Sequence, residues 1–126
     1  EIREAADREK VDNLETLLVS HNESGLPAEC CDRLFLRLVY HHFEQPGELL
    51  EQFRAALQPG GLMAIIDFPP NDRFPSWNVP DFRAGHGVPR KTVIEEVSAA
   101  GFQLIEEREA FGGRRDRYFL LFEKDH

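Results

Sequence analysis

Apolar residues recur at helical spacing in some stretches of the chain and gather into short continuous runs in others, and the alternation of the two sets the expected fold. Gln45 to Leu57 carries Leu49, Leu50, Phe53, Ala56 and Leu57 at helical intervals, with Pro46 in the first turn, where its missing N–H has no partner to lose. Pro59, Gly60 and Gly61 are expected to end that helix, because glycine tolerates a left-handed cap and proline cannot continue. Pro89 to Ala100 predicts a further helix through Val93, Ile94 and Val97, closed by Gly101. Glu1 to Lys10, rich in Ala, Glu and Arg, reads as the end of a helix already under way. The short runs supply strands. Asp32 to Tyr40 and Leu62 to Phe68 have the near-continuous apolarity of strands buried on both faces of a parallel sheet. Leu14 to Val19 predicts a shorter strand, and Phe102 to Ile105 with Tyr118 to Phe122 a final antiparallel pair, turning at Gly112 and Gly113.

Between these elements, Ser20 to Ala28 has the Ser, Asn, Gly and Pro content of a loop, and Pro69 to Gly87 is a long proline-rich loop bearing Phe74, Trp77 and Phe82. Strands alternating with helices and closing in a hairpin imply an open α/β sheet with a parallel body and an antiparallel C-terminal hairpin. Such sheets bind ligands at the carboxyl ends of their parallel strands. That singles out His41, His42, Asp67 and the loop from Ser20 to Pro27.

Composition narrows the reading. The 126 residues suit one small domain, with ten Phe to build its core. Fifteen basic against 23 acidic residues leave a net charge of −8, which opposes a phosphate backbone, so no nucleic acid is expected as partner. The apolar run Leu62 to Ile66 falls far short of the roughly 18 residues that cross a membrane, so no membrane is expected either. Cys30 and Cys31 are adjacent, form no disulfide framework and lack CxxC spacing for zinc. They are expected as free thiols, small hydrophobes in a reducing, cytoplasmic setting. The chain starts at Glu1 with no charged-then-apolar signal segment and no Met, which suggests a cytoplasmic protein whose sequence continues upstream.

Several segments fit one pattern. Gly25-Leu26-Pro27 precedes Cys31-Asp32; Tyr40-His41-His42-Phe43 follows; then come Leu57-Gln58-Pro59-Gly60-Gly61-Leu62, Ala99-Ala100-Gly101-Phe102 and Tyr118-Phe119-Leu120-Leu121-Phe122. In this order the chain resembles the C-terminal two-thirds of a class I S-adenosylmethionine-dependent methyltransferase, the most specific element being the Pro-Gly-Gly turn before a strand that ends in the acid Asp67. The resemblance implies a partial Rossmann-like methyltransferase sheet, S-adenosylmethionine as cofactor and a small-molecule methyl acceptor. The family's opening strand, its acid-x-Gly-x-Gly-x-Gly loop and its ribose-binding acid have no counterpart here, so residues 1–126 read as a single, truncated methyltransferase-like domain. Two family strands would lie between Leu14 to Val19 and Asp32 to Tyr40, and without them an exposed sheet edge invites a homodimer.

The resemblance also assigns residues. His41 and Asp67 fall on the acceptor side, His41 as general base or acceptor clamp and Asp67 as the group that orients an acceptor nucleophile or a metal. The alternatives are a hydrogen-bonded structural histidine and a carboxylate capping the next segment. As neighbours on an extended segment, His41 and His42 are expected to face opposite sides. Asn22 and Glu23 fall where relatives meet the adenine amino group, and Arg37 and Leu38 where they underlie the methionine part, mainly through backbone; a solvated loop and a core leucine are the plain readings. No metal is expected. The aromatic loop reads as an acceptor lid or a hydrophobic plug, and Arg114, Arg115 and Arg117 as a solvated hairpin tip. Methyl transfer is the expected reaction, weak or absent in this chain alone. Its rivals are a non-catalytic interaction module on the same scaffold and a metal hydrolase built on His41, His42, His86 and Asp67.

Overall fold

The computed structural model describes residues 23–70, 87–110 and 117–125, with positions 9, 12–14 and 17. Among them the order is β1 (Cys31–Arg37), a 3-10 turn (Tyr40–His42), α1 (Pro46–Ala56), β2 (Leu57–Asp67), α2 (Arg90–Ala99), β3 (Phe102–Glu109) and β4 (Tyr118–Lys124). The strands form a sheet in the order β1-β2-β4-β3. β1 runs parallel to β2, from Arg33 opposite Leu62 to Arg37 opposite Ile66. β4 runs antiparallel to β2, placing Tyr118 beside Asp67, and β3 returns antiparallel to β4. This is the expected mixed α/β sheet.

The core forms where Met63, Ile65, Leu120 and Phe122 of the sheet meet Leu49, Leu50 and Phe53 of α1 and Val93 and Val97 of α2. Each of the largest fully buried apolar side chains, such as Leu50 and Phe122, contributes about 1.5–3 kcal/mol over an exposed position. Among the described residues, no helix is long and apolar enough to cross a membrane.

Several elements depart from the sequence expectation. β1 stops at Arg37, three residues before Tyr40, because Leu38 takes a left-handed φ of +60° and cannot extend the strand. Nor is β1 buried on both faces. Among the described residues it has a strand neighbour on one side only, and Phe35, alternating away from the core-packed Leu34 and Leu36, is 61% exposed. α1 ends where Leu57 turns extended, so Pro59 and Gly60 lie inside β2 rather than in a helix cap. α2 does end as expected, with Gly101 at φ +98° just past Ala100. β3 runs on to Glu109 through a register shift between Leu104 and Glu106. The expected helix over Glu1 to Lys10, the strand over Leu14 to Val19, the aromatic positions Phe74, Trp77 and Phe82 and the turn at Gly112 and Gly113 lie outside the described residues, apart from isolated positions such as Leu14 and Leu17, both exposed.

Candidate active site

The parallel pair ends in two different ways, and the difference builds the site. At the end of β1 the backbone of Leu38 turns left-handed, and its N–H donates to the Ile66 carbonyl at 2.8 Å. The chain then coils into the 3-10 turn, which carries His41 to the end of β2, where Asp67 stands fully buried. Asp67 Oδ1 lies 2.8 Å from His41 Nδ1 and accepts the Phe68 N–H at 2.9 Å. Its Oδ2 accepts the His41 N–H at 3.0 Å. A carboxylate partner keeps the proton on Nδ1 and leaves the lone pair of a neutral imidazole on Nε2. Among the described residues Asp67 meets one side chain, that of His41, and two backbone N–H groups.

The imidazole is hemmed in. Its ring centroid lies 4.2 Å from that of His42 and 4.8 Å from that of Phe68, and the side chain is 5% exposed. The two histidines therefore lie ring beside ring, tilted 37° to one another, rather than facing opposite sides, because a 3-10 turn lacks the two-residue alternation of a strand. Burial and the neighbouring His41 lower the pKa of His42 from its ordinary value, against an upward pull from Asp67. Behind this turn the buried Tyr40 donates its hydroxyl to Glu96 of α2 at 3.1 Å. On the next strand, Tyr118 donates to the Val88 carbonyl at 2.7 Å; burial first, then the charge of Asp67, holds its phenol well above the usual tyrosine range.

His41 and Asp67, singled out separately from the sequence, are thus one hydrogen-bonded pair with Leu38 leading into it. Arg37 is exposed at the end of β1 and Leu38 is half-buried. Glu23 is exposed on a loop fixed to α1 by the Ser24 N–H to Gln52 Oε1 bond of 2.8 Å, and takes no part in the His41 and Asp67 contacts; Asn22 lies outside the described residues. Sequence reasoning missed Phe68 and Tyr40. Their signal was position alone, each adjoining a chosen residue. Among the described residues no three His, Cys, Asp or Glu side chains gather into a group that could hold a metal; His21 and His86 lie outside them. Cys30 and Cys31, expected as free thiols, are bonded to each other through sulfur.

Among the described residues the four-stranded mixed sheet has the Rossmann-like α/β fold of solved methyltransferase structures. The methyltransferase-domain family matches residues 3–107, and the chain belongs to it. A comparison with curated proteins finds no match. Among solved structures, a SAM-dependent methyltransferase from Aquifex aeolicus is 19% identical with a TM-score of 0.78, covering 97% of this chain and 61% of its own. The trans-methyltransferase CalH in complex with SAH is 22% identical with a TM-score of 0.76, covering 98% of this chain and 39% of its own. The 1,6-didemethyltoxoflavin-N1-methyltransferase of Burkholderia thailandensis, with bound 1,6-didemethyltoxoflavin and S-adenosylhomocysteine, is 17% identical with a TM-score of 0.61, covering 79% of this chain and 46% of its own. The chain therefore spans about three-fifths or less of the length of these structures.

Proposed function

We propose that the chain is an S-adenosylmethionine-dependent methyltransferase domain acting on a small molecule. The observation that carries this reading is the buried His41–Asp67 pair at the carboxyl ends of the parallel strands, in a chain of methyltransferase family and fold. S-adenosylmethionine supplies the methyl group as a sulfonium, and the transfer is an in-line displacement that needs alignment and exclusion of water. His41 Nε2 takes the acceptor's proton when the acceptor must lose one, and Asp67 positions His41 and stabilises its charged form. The groups at the end of β1 and on the loop before it suit the cofactor in type. Glu23 offers a carboxylate to an amino or hydroxyl group, Arg37 a guanidinium to a carboxylate, and Leu38 a turned backbone; Asn22 is assigned to the same side.

The acid-x-Gly-x-Gly-x-Gly pattern does not occur in these 126 residues, and on the resemblance this chain alone is assigned weak or no turnover. A second reading, an interaction module that pairs through the edge of β1, draws on the exposure of Phe35. Calorimetric titration with S-adenosylhomocysteine separates the two. Binding near the micromolar range, about −8 kcal/mol, supports a competent pocket. No heat from a folded chain counts against cofactor use by these residues and favours the interaction module.

A further inference from the structure

The Cys30–Cys31 pair lies outside the site just described. Disulfides stabilise by closing loops, and the effect grows with the length of chain enclosed. A bond between neighbours encloses almost none, so it staples nothing. Its influence is local, on a turn that joins three elements. Glu29, at φ +52°, donates its N–H to the Ala55 carbonyl in the last turn of α1 at 2.9 Å. Cys30 donates to Pro27 at 3.4 Å. Cys31 pairs with Leu57 at the first rung between β1 and β2, and the ladder shifts register before Arg33. Cys30 is exposed and Cys31 half-buried against the core, so a small disulfide arriving from solvent meets Cys30 first.

We infer that Cys30 and Cys31 form a reversible thiol–disulfide modification site whose substrate is a low-molecular-weight disulfide, and whose state sets the geometry of the turn before β1. The Cys30 thiolate attacks the small disulfide, forming a mixed disulfide and releasing one small thiol. The Cys31 thiolate then attacks the Cys30 sulfur and releases the second. Two electrons and two protons pass from the protein to the small disulfide, which leaves as two thiols, and an excess of small thiol reverses both steps.

The test treats the reduced chain with oxidised glutathione and follows intact mass, amide exchange and melting. The expected product is two hydrogens lighter than the reduced chain and carries no glutathione, with exchange at Glu29 and Leu57 changed several-fold and the melting temperature almost unmoved. Cys31→Ser is expected to stop at a glutathione adduct on Cys30. A lasting adduct on the unaltered chain, disulfide-linked dimers, or an internal bond that leaves exchange unchanged would each overturn the proposal.

Discussion

Asp67 is fully buried, and its carboxylate is satisfied by one side-chain and two backbone donors, so removing its charge disturbs His41 and the local backbone together. Asp67→Asn is expected to cost about 2 kcal/mol of stability, the range for hydrogen bonds to a charged group, measured by urea denaturation. It is also expected to release the His41 tautomer, read from its imidazole nitrogen shifts; an unchanged tautomer would remove Asp67 as the positioning group. His42 gives a pH dependence. Its folded pKa lies below the ordinary value of 6.5, so the unfolded chain takes up the proton first as pH falls. Its contribution is complete above that value and is lost as pH falls through and below it. Melting curves across this window are expected to slope less in His42→Gln.

At the scale of elements, two glycines separate strain from crowding. Gly87 and Gly101 sit at φ +85° and +98°, where a side chain is strained whatever the space. A Cβ on Gly87 would stand 2.8 Å from the carbonyl oxygens of both Phe68 and Pro69, backbone atoms beside Asp67 that have little room to move. On Gly101 it would meet the Arg54 side chain, which can swing aside. Both alanine variants are expected to be destabilised by about 1–3 kcal/mol, with Gly87→Ala the worse, as measured by chemical denaturation. Gly47, with open space around its missing Cβ, is the control; Gly47→Ala is expected to be neutral or to stabilise by about 0.5 kcal/mol.

For the molecule as a whole, the sheet buries one face of β1 through Leu34 and Leu36 and leaves Phe35 in water. If the edge of β1 pairs with a second copy, Phe35→Asp is expected to shift sedimentation toward monomer with little change in monomer stability. A chain that is already a monodisperse monomer would refute the pairing. A core substitution behaves oppositely: Phe122→Ala is expected to cost about 3–5 kcal/mol by denaturation, without reference to association, because Phe122 is wholly buried.

The sequence by itself determined the two described helices and the hairpin strands, since the spacing of Leu49, Leu50 and Phe53 or of Val93 and Val97 is a local property that one buried face imposes on a chain. It also marked His41 and Asp67 as candidates, because strand ends in an α/β sheet are where ligands bind. What it did not contain was their pairing. The two residues are 26 positions apart, and their contact exists because β1 and β2 run parallel in one register while Leu38 turns left-handed between them. The half-exposed β1, the contact between the two histidine rings and the bonded cysteines were likewise decided only in three dimensions. A run of apolar residues specifies that a strand forms, but its burial depends on which neighbours lie beside it, and that is a property of the assembled sheet.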